Sequence, residues 1–321
     1  MTSIQSVAGP IETGELGFVL MHEHILMRDH NVVVNYPHLF DRRKELDEAV
    51  QKLRDLKEQG VNTIVDLTTV DTGRDIRFIE DATRESGMQV IAATGMWWQP
   101  PAFFATRSVD VLLDCFLTDI REGIAGTSVK AGIIKVATHT EGVTPPIEMA
   151  LRAGSRAHRQ TGIPISTHTD AHAYMGDEQQ RIFLEEGVDL SRTVIGHSGD
   201  STDLDYLKRL MDRGSYIGMD RFGLDGVGEE RFATTQERVD TIAQLCKEGY
   251  AEKMVLSHDA SCCWEMLPGD HPVLEGNPNW HLSHILDDVL PMLRQAGVTE
   301  EHINEMGVGN PRRIFEQTGG Y

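Results

Sequence analysis

Along most of the chain, a polar stretch with helical periodicity ends at a glycine and gives way to a short run of β-branched and apolar residues. Glu45–Glu58 predicts a helix, Gly60 its C-terminal stop, and Val61–Leu67 a buried strand. The same rhythm predicts helix Arg74–Ser86 before strand Gln89–Ala93, and Val109–Arg121 before Ala131–Ala137. It continues with Pro146–Thr161 into Pro164–Thr167, Gln179–Glu186 into Thr193–Gly196, Thr202–Arg213 into Tyr216–Met219, and Gln236–Glu248 into Met254–Ser257. With Gly17–Met21 at the start, that makes eight strands. A last barrel helix, Ile285–Gln295, and a helical tail follow. Continuous apolar strands alternating with helices call for a parallel sheet covered on its outer face. Eight such units predict a closed (β/α)8 TIM barrel as a single domain over residues 1–321. No GxGxxG or P-loop follows any strand, which weighs against a doubly wound dinucleotide-binding sheet.

Composition narrows the partners. Fifty acidic against 30 basic residues leave a net charge of −20, which argues against nucleic acid or an anionic membrane as the main partner. The 4 cysteines offer no CxxC, and Cys262 and Cys263 are adjacent, so neither a zinc ribbon nor a dithiol redox site is expected. No apolar run approaches the roughly 20 residues a bilayer span needs. The first residues lack a basic-then-apolar export pattern, so a cytoplasmic protein is expected.

Polar residues unsuited to buried strands stand at the ends of five of them. Strand one ends in His22-Glu23-His24, strand four carries Lys135, strand five ends in His168, strand six in His197 and strand eight in His258-Asp259. They recur, on average, about every 34 residues, the length of an ordinary βα unit, so a barrel brings them to its C-terminal mouth, where such enzymes keep their active sites. Side chains two apart on a strand point the same way, so His22 and His24 can grip one ion. Imidazoles and a carboxylate suit Zn²⁺, with Co²⁺, Mn²⁺ or Fe²⁺ as alternatives, and four histidines exceed what one catalytic ion uses. Two divalent ions are expected. A buried amine beside two dications would lose its proton, so Lys135 is either a Schiff-base nucleophile or a lysine carboxylated by CO₂. His258 alternates with Asp259 and is expected to face away from it. Competing motifs are broken: His22-Glu23-His24-Ile25-Leu26 is not HExxH, and Gly196-His197-Ser198-Gly199 is not GxSxG.

The ordered set Leu20-Met21-His22-Glu23-His24, Ile133-Ile134-Lys135-Val136-Ala137-Thr138, Thr167-His168-Thr169, Ile195-Gly196-His197 and Ser257-His258-Asp259 resembles the phosphotriesterase family of the amidohydrolase superfamily. The resemblance implies a binuclear hydrolase. His22, His24 and Asp259 would bind the more buried metal, His168 and His197 the more exposed one, and N6-carboxylated Lys135 with a hydroxide would bridge them. It also implies a homodimer. In this reading the hydroxide attacks the ester, and Asp259 with Lys135 forms the catalytic core, Asp259 taking the proton.

Two loops speak to substrate. One is the aromatic, proline-stiffened Gly95–Phe104 after strand three; the other runs from Ser261-Cys262-Cys263-Trp264 to Asn279-Trp280 after strand eight. Trp97, Trp98, Arg221, Cys262, Trp264 and Trp280 are the expected substrate-binding residues, shaping an apolar pocket for a hydrophobic ester or lactone. Met219-Asp220-Arg221-Phe222-Gly223, Cys262-Cys263 and Pro278-Asn279-Trp280 are similar to the family's lactonases. Trp97-Trp98, Pro100-Pro101 and Val136 are similar to its phosphotriesterases, and Trp97 stands where the lactonases typically carry Tyr. The resulting expectation is a lactonase or related carboxylic ester hydrolase with organophosphate triesterase side activity, a phosphotriesterase proper being the alternative.

Overall fold

Eight parallel strands close into a (β/α)8 barrel: β1 (Val19–Met27), β2 (Thr63–Asp66), β3 (Gln89–Gly95), β4 (Ile133–Ala137), β5 (Ile165–His168), β6 (Thr193–Ile195), β7 (Tyr216–Met219) and β8 (Met254–Leu256). The computed structural model describes residues 2–98, 100–228, 230–267, 271–316 and 319–321. Each strand is almost wholly buried, because its two faces meet different apolar layers. Residues pointing inward, among them Val19, Met21, Val65, Ile91, Ile133 and Val255, fill the lumen. Their alternates, such as Leu20, Ile64, Val90 and Ile134, pack against the surrounding helices. Fully burying a side chain of this size contributes about 1.5–3 kcal/mol.

The outer shell comprises α1 (Arg42–Glu58), α2 (Ile76–Ser86), α3 (Val109–Arg121), α4 (Pro145–Thr161), α5 (Met175–Glu185), α6 (Leu204–Asp212), α7 (Thr235–Lys247) and α8 (Leu290–Gln295). Side-chain caps start several of them: Asp41 accepts from the Lys44 N–H, Asp75 from the Phe78 N–H, and Thr234 forms a capping box with Glu237. Gly87 and Gly162 end α2 and α4 in the left-handed region, at φ 69° and 78°. A π-helical turn, Ile285–Val289, precedes α8, whose Pro291 cannot donate to the carbonyl four residues back. The same device recurs at Glu305–Gly309 before Pro311.

Three features depart from the pattern read along the chain. An antiparallel hairpin, Ser3–Ser6 with Gly9–Glu12, closes the bottom of the barrel, where Ile4 joins Leu16, Ile314 and Phe315 under the lumen. β1 runs on through both histidines to Met27. Ser261–Trp264, expected to be loop, is a strand (β9) that pairs parallel with β1 through Ser261↔His24 and Cys263↔Leu26. β9 continues β8 after a four-residue crossing, so the eighth strand pairs first with β7 and then with β1, closing the barrel. No helix among the described residues is long and apolar enough to cross a membrane.

Candidate metal centre

The pleat of β1 does not by itself aim its histidines correctly. Val19 and Met21 face the lumen, so simple alternation would send Glu23 inward and both histidines out. The register against β2 shifts between Leu20 and Glu23, where β1 carries one extra residue. This bulge turns His22 and His24 toward the barrel mouth. There the Nε2 atoms of His22 and His24 lie 3.3 and 3.1 Å from Asp259 Oδ1. His197 Nε2 lies 3.6 Å from Asp259 Oδ2 and 2.9 Å from His168 Nδ1. Lys135 Nζ sits among them, 2.8 Å from His22 Nε2, and donates to the Thr167 carbonyl at 3.2 Å. All six predicted ligand residues therefore come together, with His22, His197 and Asp259 the tightest group.

Behind the rings stands a set of orienting partners. Asp220, at the end of β7, accepts from Nδ1–H of His22 at 2.9 Å, and from the backbone N–H and Nδ1–H of His197 at 2.7 and 3.1 Å. One carboxylate thus fixes the tautomer of two rings and leaves both Nε2 lone pairs facing the cluster. Room for it comes from Gly218, where a Cβ would fall 2.3 Å from Asp220 Oδ2. His24 Nδ1 contacts the Thr68 hydroxyl at 2.9 Å. Arg221 donates to Asp259 Oδ2 at 3.0 Å and to Asp200 at 2.9 Å, and Asp200 is in turn held by the buried Arg238 at 2.8 Å. His197 and Asp259 both adopt positive φ, 57° and 55°. This left-handed geometry costs an L-residue roughly 1–2 kcal/mol, and such strain concentrates at functional sites.

This arrangement fits divalent cations. With its proton on Nδ1, His22 presents a lone pair to an Asp259 oxygen, and His197 does the same to the other oxygen, so acceptors face acceptors. A cation between them is what satisfies such a set, and imidazole with carboxylate suits zinc-like ions. Burial keeps the rings neutral, as ligands must be: His22 is pushed down to about 3, assisted by Lys135, and His168 and His197 are lowered too. Burial also lowers the Lys135 amine to about 7, against the partial opposition of Asp259 and Asp220. Burial alone would raise Asp259, but His197, His22, the His24 hydrogen bond and Arg221 hold it well below the usual carboxylate range.

These shifts set an acid limit. In the unfolded chain the same histidines take up protons near the ordinary 6.5, whereas folded His22 does so only near 3. The unfolded state therefore binds more protons below about pH 6.5, and each such ring removes up to about 1.4 kcal/mol of stability per pH unit there. The depressed carboxylates add to this only below their ordinary range near 3.8. Urea titrations of the metal-free protein are expected to show stability falling from pH 6.5 to 5; a flat profile over that window contradicts neutral burial of the rings.

Trp97, Arg221, Trp264 and Trp280 line an apolar cavity of about 280 Å³ that opens on His22, His24, Lys135, His168 and Asp259. The backbone N–H of Trp97 is fixed by Asp71 at 2.9 Å, and its indole stacks on Trp98 at 4.1 Å. Trp98 itself lies outside this cavity and lines a smaller one of about 110 Å³ with His139, His168 and Arg221. Cys262 also lies elsewhere, in a cavity of about 700 Å³ against α1 that shares the Trp264–Trp280 wall. Burial raises its thiol and pushes Cys263 up to about 12, so neither is a thiolate. Gln99 of the aromatic loop lies outside the described residues. As expected, His258 faces away, bonding Glu23 at 2.7 Å. Four contributors carry no site role in the sequence reading: Asp220, Glu23, Thr68 and His271, the last of which lines the cavity. Asp220 shares the signal that marks the others, a charged residue at a strand end.

A sequence model of the phosphotriesterase family matches residues 2–315. A phosphotriesterase homology protein from Mycobacterium tuberculosis is 46% identical over 100% of both chains. An aryldialkylphosphatase from Saccharolobus solfataricus is 40% identical over 95% of this chain and 96% of its own. The solved structure of the phosphotriesterase from Mycobacterium tuberculosis superposes with a TM-score of 0.94 at 46% identity, covering 100% of each chain.

Proposed function

The chain belongs to the phosphotriesterase family of hydrolases, and from that premise we propose that it hydrolyses hydrophobic esters with two divalent ions, lactones first and organophosphate triesters as a side activity. The observation that carries this reading is the apolar cavity opening directly on five of the six cluster residues, His22, His24, Lys135, His168 and Asp259. Arg221, its one guanidinium among the described lining residues, is taken up by Asp259 and Asp200. With Lys135 carboxylated, no unpaired cationic side chain among the described lining residues is left to grip a phosphate monoester or a free acid, whereas Trp97, Trp264, Trp280 and Leu267 offer surface to a neutral, apolar substrate.

His22, His24 and Asp259 would hold one ion, His168 and His197 the other, with carboxylated Lys135 shared between them. Such a pair, when bound, supplies an acidified water and a Lewis acid for the ester oxygen. The chain's own residues do the rest. With its pKa near 7, the Lys135 amine is largely neutral above that pH; its lone pair forms a bond to CO₂ and one proton leaves to solvent, turning a neutral amine into a carbamate anion. Asp220 holds two imidazoles in the tautomer that binds metal. Asp259 accepts the proton released by the attacking water, and Arg221 keeps it ionised between turnovers. The tryptophan walls exclude competing water from the reacting ester.

The test compares kcat/KM for lactones of increasing acyl length with that for an aryl dialkyl phosphate triester, on protein loaded with Zn²⁺ or Co²⁺ and bicarbonate. Lactone turnover above triester turnover, abolished by chelation and restored by metal, is expected. Triester turnover exceeding that of every lactone reverses the ranking, and activity indifferent to chelation rejects the metal reading.

A further inference from the structure

We infer that Glu23, the residue between the two β1 histidines, is a positioning residue that aims Asp259 at the cluster and thereby sets its affinity for metal; the inference rests on the metal-site reading above. The four residues between β8 and β9 are where the eighth strand crosses from β7 to β1, and Asp259 lies within that crossing at φ 55°. The Glu23 carboxylate is wholly buried and accepts four hydrogen bonds from this one segment. Oε1 receives the Ser257 hydroxyl at 2.8 Å, the His258 N–H at 3.0 Å and His258 Nδ1–H at 2.7 Å. Oε2 receives the Ala260 N–H at 3.0 Å. The residues on both sides of Asp259 are thus fastened to one side chain, and Asp259 is left to turn the other way.

The rest of the segment is braced to match. The Asp259 N–H donates to the His22 carbonyl at 3.0 Å, and the His24 N–H to the Ala260 carbonyl at 2.9 Å. The Ser257 hydroxyl also accepts the His22 N–H at 2.8 Å, so Glu23, Ser257 and His22 form one chain of hydrogen bonds. His258 Nε2 accepts from the Ile285 N–H at 3.0 Å, which places the ring proton on Nδ1, where Glu23 takes it. A left-handed residue persists only where its surroundings over-determine it. Here the carboxylate supplies four of those constraints, and a Glu in this position can reach them only because the β1 bulge turns it from the lumen to the β1–β8 seam.

The test uses the full chain stripped of metal: wild type, Glu23→Gln, Asp259→Asn and the double variant. Zn²⁺ affinity is read by competition with a chromophoric chelator, and folding by circular dichroism and thermal unfolding of the metal-free forms. Glu23→Gln places an amide where an oxygen accepted, and it is expected to lower Zn²⁺ affinity about 10–100-fold, the usual scale for an outer partner of a ligand. Asp259→Asn is expected to lower affinity as well. The double variant is expected to match Asp259→Asn within about twofold, since a residue acting through Asp259 has nothing further to lose. Wild-type affinity in folded Glu23→Gln, wild-type affinity in Asp259→Asn, or losses that multiply in the double variant would each overturn the inference. Should Glu23→Gln not fold, Ser257→Ala removes one donor and is expected to weaken Zn²⁺ binding about threefold or more, unchanged affinity counting against the proposal. Zinc binding is read without substrate, so a wild-type chain that binds Zn²⁺ yet cleaves no ester overturns the functional reading alone.

Discussion

Lys135→Met is expected to lower kcat/KM by about 10²–10³-fold, the scale of losing a preorganised electrostatic group at the reacting centre, and to leave the purified protein with fewer than two ions per chain. The side chain is 2% exposed and enclosed by the lumen, so a methionine of similar length fills its place without a cavity. Burial penalises the charged amine, so the metal-free variant is expected to melt no lower than the metal-free wild type. Activity and stability therefore separate, which distinguishes a bridging ligand from a packing residue. Elemental analysis, turnover and thermal unfolding on the same preparations check the prediction; a variant holding two ions with wild-type turnover sinks it. A Schiff-base role for Lys135 makes the opposite demand, since substrate would then be trapped on the wild-type lysine by borohydride and chelation would leave activity intact.

Lys135 is legible because an ammonium inside Ile133-Ile134-Lys135-Val136-Ala137 contradicts a buried strand, and a contradiction of that kind between residue type and local pattern marks function. His168 and Asp259 are legible in the same way, and the regular βα spacing places them at one height. The helix–glycine–strand rhythm likewise locates most boundaries to within a few residues, because Gly87 and Gly162 do end helices in the left-handed region. What escapes depends on non-local pairing. The β1 bulge is a mismatch against β2 and has no signature within β1 alone. Ser261–Trp264 becomes a strand only because β1 offers it a free edge. Glu23 reads as a filler between two histidines until the seam it bonds is in place. Cys262 illustrates the converse: its position beside Trp264 suggests a place near substrate, but it lines the α1 cavity, as does its neighbour Cys263, whose Sγ meets the Glu45 carbonyl.

Asp259→Asn is expected to reduce kcat by about 10²–10⁴-fold, the range for losing a general base, while the fold is kept. Asparagine is chosen because it tolerates the left-handed φ of 55° about as well as aspartate, whereas alanine would add backbone strain to the loss of charge. It is also nearly the same shape, so it can still meet Arg221 through its amide oxygen. Two consequences should separate in the data. The carboxylate is held well below its ordinary range, so it stays ionised through neutral pH, and any acid limb of the wild-type kcat profile in that region belongs to other groups. Removing it should therefore lower kcat across the whole profile without moving that limb. KM should change less than kcat, because the tryptophan-lined cavity that holds the substrate's apolar part is untouched. A fall in kcat below tenfold at saturating metal would mean that the proton leaves by another group. A loss confined to KM would mean that Asp259 contacts substrate rather than serving the chemistry.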